Sequence, residues 1–265
     1  MNKIKINMIG GPFQHDICSC SGSVPKFIEW DKTGNSNISI HLDDGMRIPT
    51  NKQKKNYAWI FEASTVIPHI IDWAVKNIIY LEENFEYIFT HDAKLLNISN
   101  KMRLMISSPQ PWVKDIGIHS KNKLVSMIVS KKNMCNEHSY RLSILDKYKN
   151  IADCFGNGHN PISTKEYGLK DYYFSFAMEN GAYDYMYTEK ILDCFATGTI
   201  PIYWGMPSIG EFFNINGIIL LNEEFDINKL KAELYLSKYD AIVDNLERTL
   251  KIPIAEDYLY LNYIK

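Results

Sequence analysis

Apolar residues fall along this chain in two kinds of block, short β-branched or aromatic runs and longer stretches with helical spacing. Ile4–Ile9 reads as a first strand, residues 25–30 as a short helix with Ser23 placed to cap it, and Ile38–Leu42 and 57–61 as further strands. "IPHIIDWAVKNIIYLEEN" (67–84) has the spacing of one amphipathic helix, and strands follow at 87–90 and 102–106. Behind "SSPQPWVKDIG" (107–117), which holds two prolines and no periodicity, the alternation restarts. Strands are expected at 124–129, 151–154, Tyr172–Met178 and 199–204, with helices at 138–149 and 188–197. Strand–helix alternation on both sides of a linker predicts an α/β chain of two Rossmann-like domains facing a cleft, with ligands at the carboxyl ends of the strands. The expected division is 1–115, 116–245 and a helical tail, 246–265, that packs back on the first domain.

Composition fits that picture and narrows the chemistry. A chain of 265 residues with 46% hydrophobic and 13% aromatic content has ample material for packed cores. A formal charge of −2 with no long run of like charge argues against a nucleic-acid partner. The five cysteines form no Cys-x-x-Cys pair, so reduced thiols are expected rather than a zinc knuckle or disulfide framework. The seven histidines, His15 and His159 among them, have no two-histidine ligand spacing, and no metal is required. The apolar start is too short for a signal peptide, and no run reaches membrane-spanning length; a cytosolic protein without a transmembrane segment is expected.

The polar chemistry concentrates at 178–205, "MENGAYDYMYTEKILDCFATGTIPIYWG". Glu179 and Asn180 follow the strand Tyr172–Met178, and a helix opens near Thr188-Glu189-Lys190 and ends at Gly198, a residue suited to a left-handed terminus. Helix N-terminal amides beside the Lys190 cation suit a diphosphate, while Asn180 and Glu189 can bond ribose or base groups.

Residues 172–214, "YYFSFAMENGAYDYMYTEKILDCFATGTIPIYWGMPSIGEFFN", resemble the donor-binding motif of glycosyltransferase family 10, the alpha-1,3/4-fucosyltransferases, in order and spacing. Upstream, "KLVSMIVSKKNMCNEHSYRLSILDKYKNIADCFGNG" (123–158) is similar to the family's strand, its helix with a phosphate-binding Arg, here Arg141, and its Val-Asp-x-x-Gly turn. The first half matches only in layout, and in "AWIFEAS" Glu62 stands where the family carries its catalytic carboxylate. The resemblance implies a GT-B-like fold and inverting transfer of fucose from GDP-fucose to a glycan hydroxyl. It implies Glu62 as catalytic base and Arg141, Glu179, Asn180, Tyr185, Tyr187, Glu189 and Lys190 as nucleotide-sugar contacts, with GDP-fucose as donor substrate; the sequence requires no cofactor and leaves a divalent metal open. Three positions depart from the family pattern: Gly181 for Ser, Lys131 for the Asn after Ser130, and Met186 for a donor-contacting Tyr flanked here by Tyr185 and Tyr187. They leave open a different nucleotide-sugar donor on the same fold, or a glycan- or nucleotide-binding protein without turnover.

Each residue also has a plainer reading. Glu62 can be a strand-end carboxylate capping the next loop, and Arg141 a solvated residue on an amphipathic helix. A Glu in a first helical turn suits the dipole, which accounts for Glu189 but not for the adjacent Lys190. Ile9-Gly10-Gly11 lacks the glycine spacing of a dinucleotide loop and reads as a tight turn on the acceptor side. Asp43-Asp44 reads as a turn and Gly156-Asn157-Gly158 as another.

Overall fold

The computed structural model describes residues 3–11, 18–20, 23–106, 110–133 and 135–265. The chain forms two compact units, one of Met1–Pro109, Tyr183–Met186 and Pro253–Lys265, the other of Gln110–Ala182 and Tyr187–Ile252.

The first unit is built on six strands, β1 (Ile4–Ile9), β2 (Ile28–Asp31), β3 (Ile38–Leu42), β4 (Lys55–Trp59), β5 (Ile88–Thr90) and β6 (Met102–Leu104). They lie in the order β2-β1-β3-β4-β5-β6 with every neighbouring pair parallel. The order reverses at β1, so the switch point where such sheets open a crevice lies between the carboxyl ends of β1 and β3. Residues 25–30 are not the expected helix. Ile28 and Trp30 are buried and Glu29 is exposed, a two-residue alternation that serves a strand beside β1. The expected helix at 67–84 is two, α1 (Pro68–Lys76) and α2 (Ile78–Asn84). Asn77 parts them: its side-chain amide donates to the Trp73 carbonyl at 2.8 Å, a local bond that competes with the helical ladder. A short helix unforeseen in the sequence, α3 (Ala93–Leu96), is capped by Asp92.

Ile70, Ile71, Ala74, Leu81 and Leu95 from these helices cover one face of the sheet with Ala58, Ile60 and Ile88. The other face, with Ile6, Ile40, Tyr57 and Trp59, is covered by Ala255 and Leu259 near the chain's end.

The second unit carries β7 (Lys123–Ile128), α4 (Asn136–Tyr148), β8 (Asp153–Phe155), β9 (Tyr172–Met178), α5 (Glu189–Ala196), β10 (Ile200–Trp204) and β11 (Ile219–Leu220), then α6 (Ala232–Leu236) and α7 (Tyr239–Lys251). Its parallel sheet runs β11-β10-β9-β7-β8, which puts a switch point between β7 and β9. Val125, Met127, Phe174, Phe176, Ile200 and Ile202 form the centre of its core with Ile144 and Leu145 of α4.

Residues 107–109 of the expected linker, like His15, lie outside the described residues. Residues 110–115 are tied into the second unit, because the Trp112 and Val113 amides donate to Asp193 of α5 at 2.6 and 3.0 Å. Helix α7 continues through residue 246, and the chain joins the first unit at Pro253, a residue that ends a helix before it. There α8 (Ala255–Leu259) presents two carboxylates. Glu256 accepts from the Ser19 amide at 2.6 Å, the Ser19 hydroxyl at 2.8 Å and the Trp30 indole at 3.1 Å, and Asp257 accepts from the Lys26 and Phe27 amides. Among the described residues, no helix is long and apolar enough to cross a membrane.

Candidate active-site residues

In the first unit the polar residues of interest collect at the carboxyl edge of the sheet. Gly10 follows β1 at φ +112, and Gly45 lies in the turn after β3. A Cβ on Gly10 would sit 2.3 Å from the Leu42 carbonyl oxygen, and one on Gly45 2.2 Å from that of Ile9, so two glycines let the turns touch at the switch point. Asp43, at φ +44, turns its carboxylate to accept from the Phe61 amide at 2.7 Å and the Glu62 amide at 3.4 Å. Burial pushes the Asp43 carboxyl up to about 6 against those two bonds, with the Glu62 and Asp44 carboxylates adding to the rise. Glu62 is partly exposed just beyond β4, and its carboxylate has no hydrogen bond or ion pair among the described residues. A carboxylate left available at a strand end can take up a proton from a bound hydroxyl.

In the second unit, Glu179 and Asn180 follow β9, and Arg141 projects from the first half of α4, which follows β7; all three lie at the switch point. The Arg141 guanidinium is 7% exposed and donates through Nη1 to Asn180 Oδ1 at 2.6 Å, while its buried Nε has no hydrogen-bond partner. A cation held by one neutral oxygen with a donor left over is equipped for an anion. His138, one turn before it on α4, is buried; burial and the Arg141 charge push its imidazole below its ordinary range.

The start of α5 is built around Glu179, which has no exposed surface. Its carboxylate accepts from the Thr188 amide at 2.8 Å and the Thr188 hydroxyl at 2.7 Å, with Lys190 Nζ at 3.4 Å. Thr188 in turn caps the helix by accepting from the Lys190 amide. Glu179 therefore orders the first turn of α5 from within. A Cβ on Gly205 would lie 2.6 Å from Glu179 Cγ and 2.5 Å from the Tyr203 hydroxyl, so the Glu179 position depends on that glycine.

Glu189 is also largely buried, with Lys165 Nζ at 3.2 Å and Lys190 Nζ at 3.6 Å. Burial acts to raise its carboxyl, and the two ammonium groups outweigh that and hold it at about 2. Lys165 also meets Asp193 at 2.7 Å and sits 4.5 Å over the Trp112 ring, and the two carboxylates hold its ammonium above the ordinary lysine range. Lys165 was not foreseen because it reaches α5 from a turn 24 residues earlier, a relation that spacing does not encode.

The two tyrosines diverge. Tyr187 is 3% exposed, with its ring 5.6 and 5.2 Å from Phe212 and Phe213, and burial pushes its phenol up. Tyr185 is partly exposed, and Met186 beside it is buried. Both belong to the short stretch that joins the first unit. Gly156-Asn157-Gly158 forms a turn at the end of β8, with Gly156 at φ +123 against the Val129 carbonyl and the Asn157 carbonyl accepting from the Lys131 amide at 3.1 Å. Among the described residues, no group of three or more His, Cys, Asp or Glu side chains could hold a metal ion.

The sequence model described as "Glycosyltransferase family 10 (fucosyltransferase) C-term" matches residues 118–241, which include Arg141, Asn180, Thr188, Glu189 and Lys190. The alpha-(1,3)-fucosyltransferase FucT of Helicobacter pylori is 39% identical over 112 residues, a match that covers 40% of this chain and 22% of that protein, about a fifth of its length. Three crystal structures of alpha1,3-fucosyltransferase share the fold. The first matches at a TM-score of 0.55 and 16% identity over 92% of this chain and 80% of that one. The structure with GDP matches at 0.54 and 16%, and the structure with GDP-fucose at 0.53 and 15%, each over 93% of this chain and 82% of the other. The two parallel sheets with flanking helices are thus those of a GT-B-like fold.

Proposed function

We propose that this chain is an inverting fucosyltransferase that moves fucose from GDP-fucose to a hydroxyl of a glycan. The observation that carries the reading is the set Arg141, Asn180, Thr188, Glu189 and Lys190, gathered at the switch point of a family 10 region. Arg141 and Lys190 take the diphosphate and neutralise the charge that grows on it as the bond to fucose C1 breaks. Asn180 and Glu189 hold the ribose or base, with Glu189 kept ionised by Lys165 and Lys190 and so ready to accept from hydroxyls. Tyr185 remains a donor contact in this reading. Glu179 and Tyr187 support the site from inside. Glu62 is the base: its carboxylate takes the proton of the acceptor hydroxyl while that oxygen attacks C1 from the face opposite the diphosphate, which inverts the anomeric centre.

Incubation with GDP-fucose, other GDP-sugars and UDP-sugars, with and without a panel of glycans, tests the assignment. Glycan-dependent release of GDP from GDP-fucose, with an inverted anomeric proton coupling in the product, is expected. Turnover of a UDP-sugar instead would retain the transferase and reject the donor. Binding of GDP with no release on any glycan would leave a non-catalytic binding protein.

A further inference from the structure

Tyr183 lies inside the family 10 motif, three residues after Asn180 and seven before Lys190, yet it belongs to the first unit. Its phenolic oxygen accepts from the Thr65 amide at 2.8 Å, and its ring meets His91 edge-on at 6.2 Å between centroids. His91 has no exposed surface, and neither ring nitrogen makes a hydrogen bond; burial pushes it down to about 4, so the tyrosine rests on a neutral imidazole. Beside Thr65, the Ser64 hydroxyl donates to Asp92 at 2.7 Å, and Asp92 is itself fixed as the cap of α3. At the other end of the same loop Asp43 accepts from the Phe61 and Glu62 amides. The backbone of 61–65 is therefore held on both sides of Glu62, while the Glu62 side chain is held by nothing among the described residues.

We infer that Tyr183 is a positioning residue for Glu62: its hydrogen bond to Thr65 fixes the loop on which the base is carried. The inference rests on the assignment of Glu62 as base. A base with no side-chain partner takes its placement from its backbone, and displacement by about 1 Å can lower a rate by about 100-fold. Asp43 anchors the loop's entry and Ser64–Asp92 its middle; at its exit the Val66 and Ile67 amides donate to the Ala63 carbonyl, and Tyr183 adds the side-chain bond to Thr65. Tyr183 is supplied by the stretch of chain that also carries the proposed donor contacts.

The test compares wild type, Tyr183→Phe, Glu62→Gln and the double variant at saturating GDP-fucose and acceptor, with GDP affinity measured for each. Removing the hydroxyl is expected to lower kcat about tenfold and to leave GDP affinity within about twofold. In the Glu62→Gln background it is expected to have no further effect, because the residue acts through the base. Amide hydrogen exchange at Thr65 is expected to be slow in wild type and at least about tenfold faster in Tyr183→Phe. Unchanged kcat in Tyr183→Phe, the same loss repeated in the Glu62→Gln background, or a parallel loss of GDP affinity would overturn the inference. So would an unprotected Thr65 amide in wild type, whatever the variant does. Full turnover by Glu62→Gln overturns the base assignment and this role with it, whereas the first outcomes overturn the positioning role alone.

Discussion

Replacing Asp43 by asparagine removes a charge while keeping the turn. The residue holds φ +44, which asparagine also tolerates, and an amide oxygen can still accept from the Phe61 amide. The Asp43 carboxyl is pushed by burial to about 6 from an ordinary 3.8. That rise corresponds to about 3 kcal/mol at 25 °C. Because the side chain is only partly buried, solvent screening brings the expected effect to about 1.5 kcal/mol. Between pH 3.8 and 6 the folded protein binds more protons at this site than the unfolded chain, so the stabilisation present below that window is lost as pH rises through it. Asparagine has no such loss. Thermal unfolding of both proteins from pH 4 to 8 should give nearly equal stability at the acid end. At pH 7 the variant should melt roughly 3–6 °C higher in the transition of the first unit. A variant less stable than wild type at pH 7, or a difference that does not change with pH, would refute the claim that burial of this charge dominates.

Two further substitutions probe the second unit. Lys165→Met strands the buried Glu189 and Asp193 carboxylates and should cost about 3–5 kcal/mol in urea unfolding; a loss below about 1 kcal/mol would mean that the pair is solvated in solution. Gly205→Ala drives a Cβ against Glu179 and the Tyr203 hydroxyl, and should destabilise by about 1–3 kcal/mol and weaken GDP binding without touching the nucleotide itself. Unchanged GDP affinity in that variant would separate Glu179 from the binding site.

Strands with clear alternation or continuous burial were legible in the sequence, and β9 has the expected limits because Tyr172–Met178 is apolar throughout and bounded by polar residues. Residues 25–30 misled because Ser23 offers a cap before a short apolar run, whereas the buried pair Ile28 and Trp30 with Glu29 outward carried the strand signal. The break at Asn77 depends on one side-chain bond inside an otherwise unbroken helical pattern. At the candidate site, the motif pointed to Asn180, Glu189 and Lys190 because they are close in sequence, and family spacing pointed to Arg141. It could not separate the partly exposed Lys190 from the enclosed Glu179, since burial is decided by Gly205, Thr188 and Tyr203 packing around that carboxylate. Lys165 and Tyr183 were invisible for the same reason: each acts through a partner 24 or 118 positions away.

The central claim, that Arg141 and Lys190 form a diphosphate site, is tested most directly by calorimetric titration of GDP into wild type, Arg141→Ala and Lys190→Ala. One molecule of GDP should bind per wild-type chain, and each variant should lose about 1.5–3 kcal/mol, the worth of a charge-assisted hydrogen bond, or roughly 10- to 150-fold in affinity. Unchanged GDP affinity in both variants would contradict the account and move the phosphate site elsewhere.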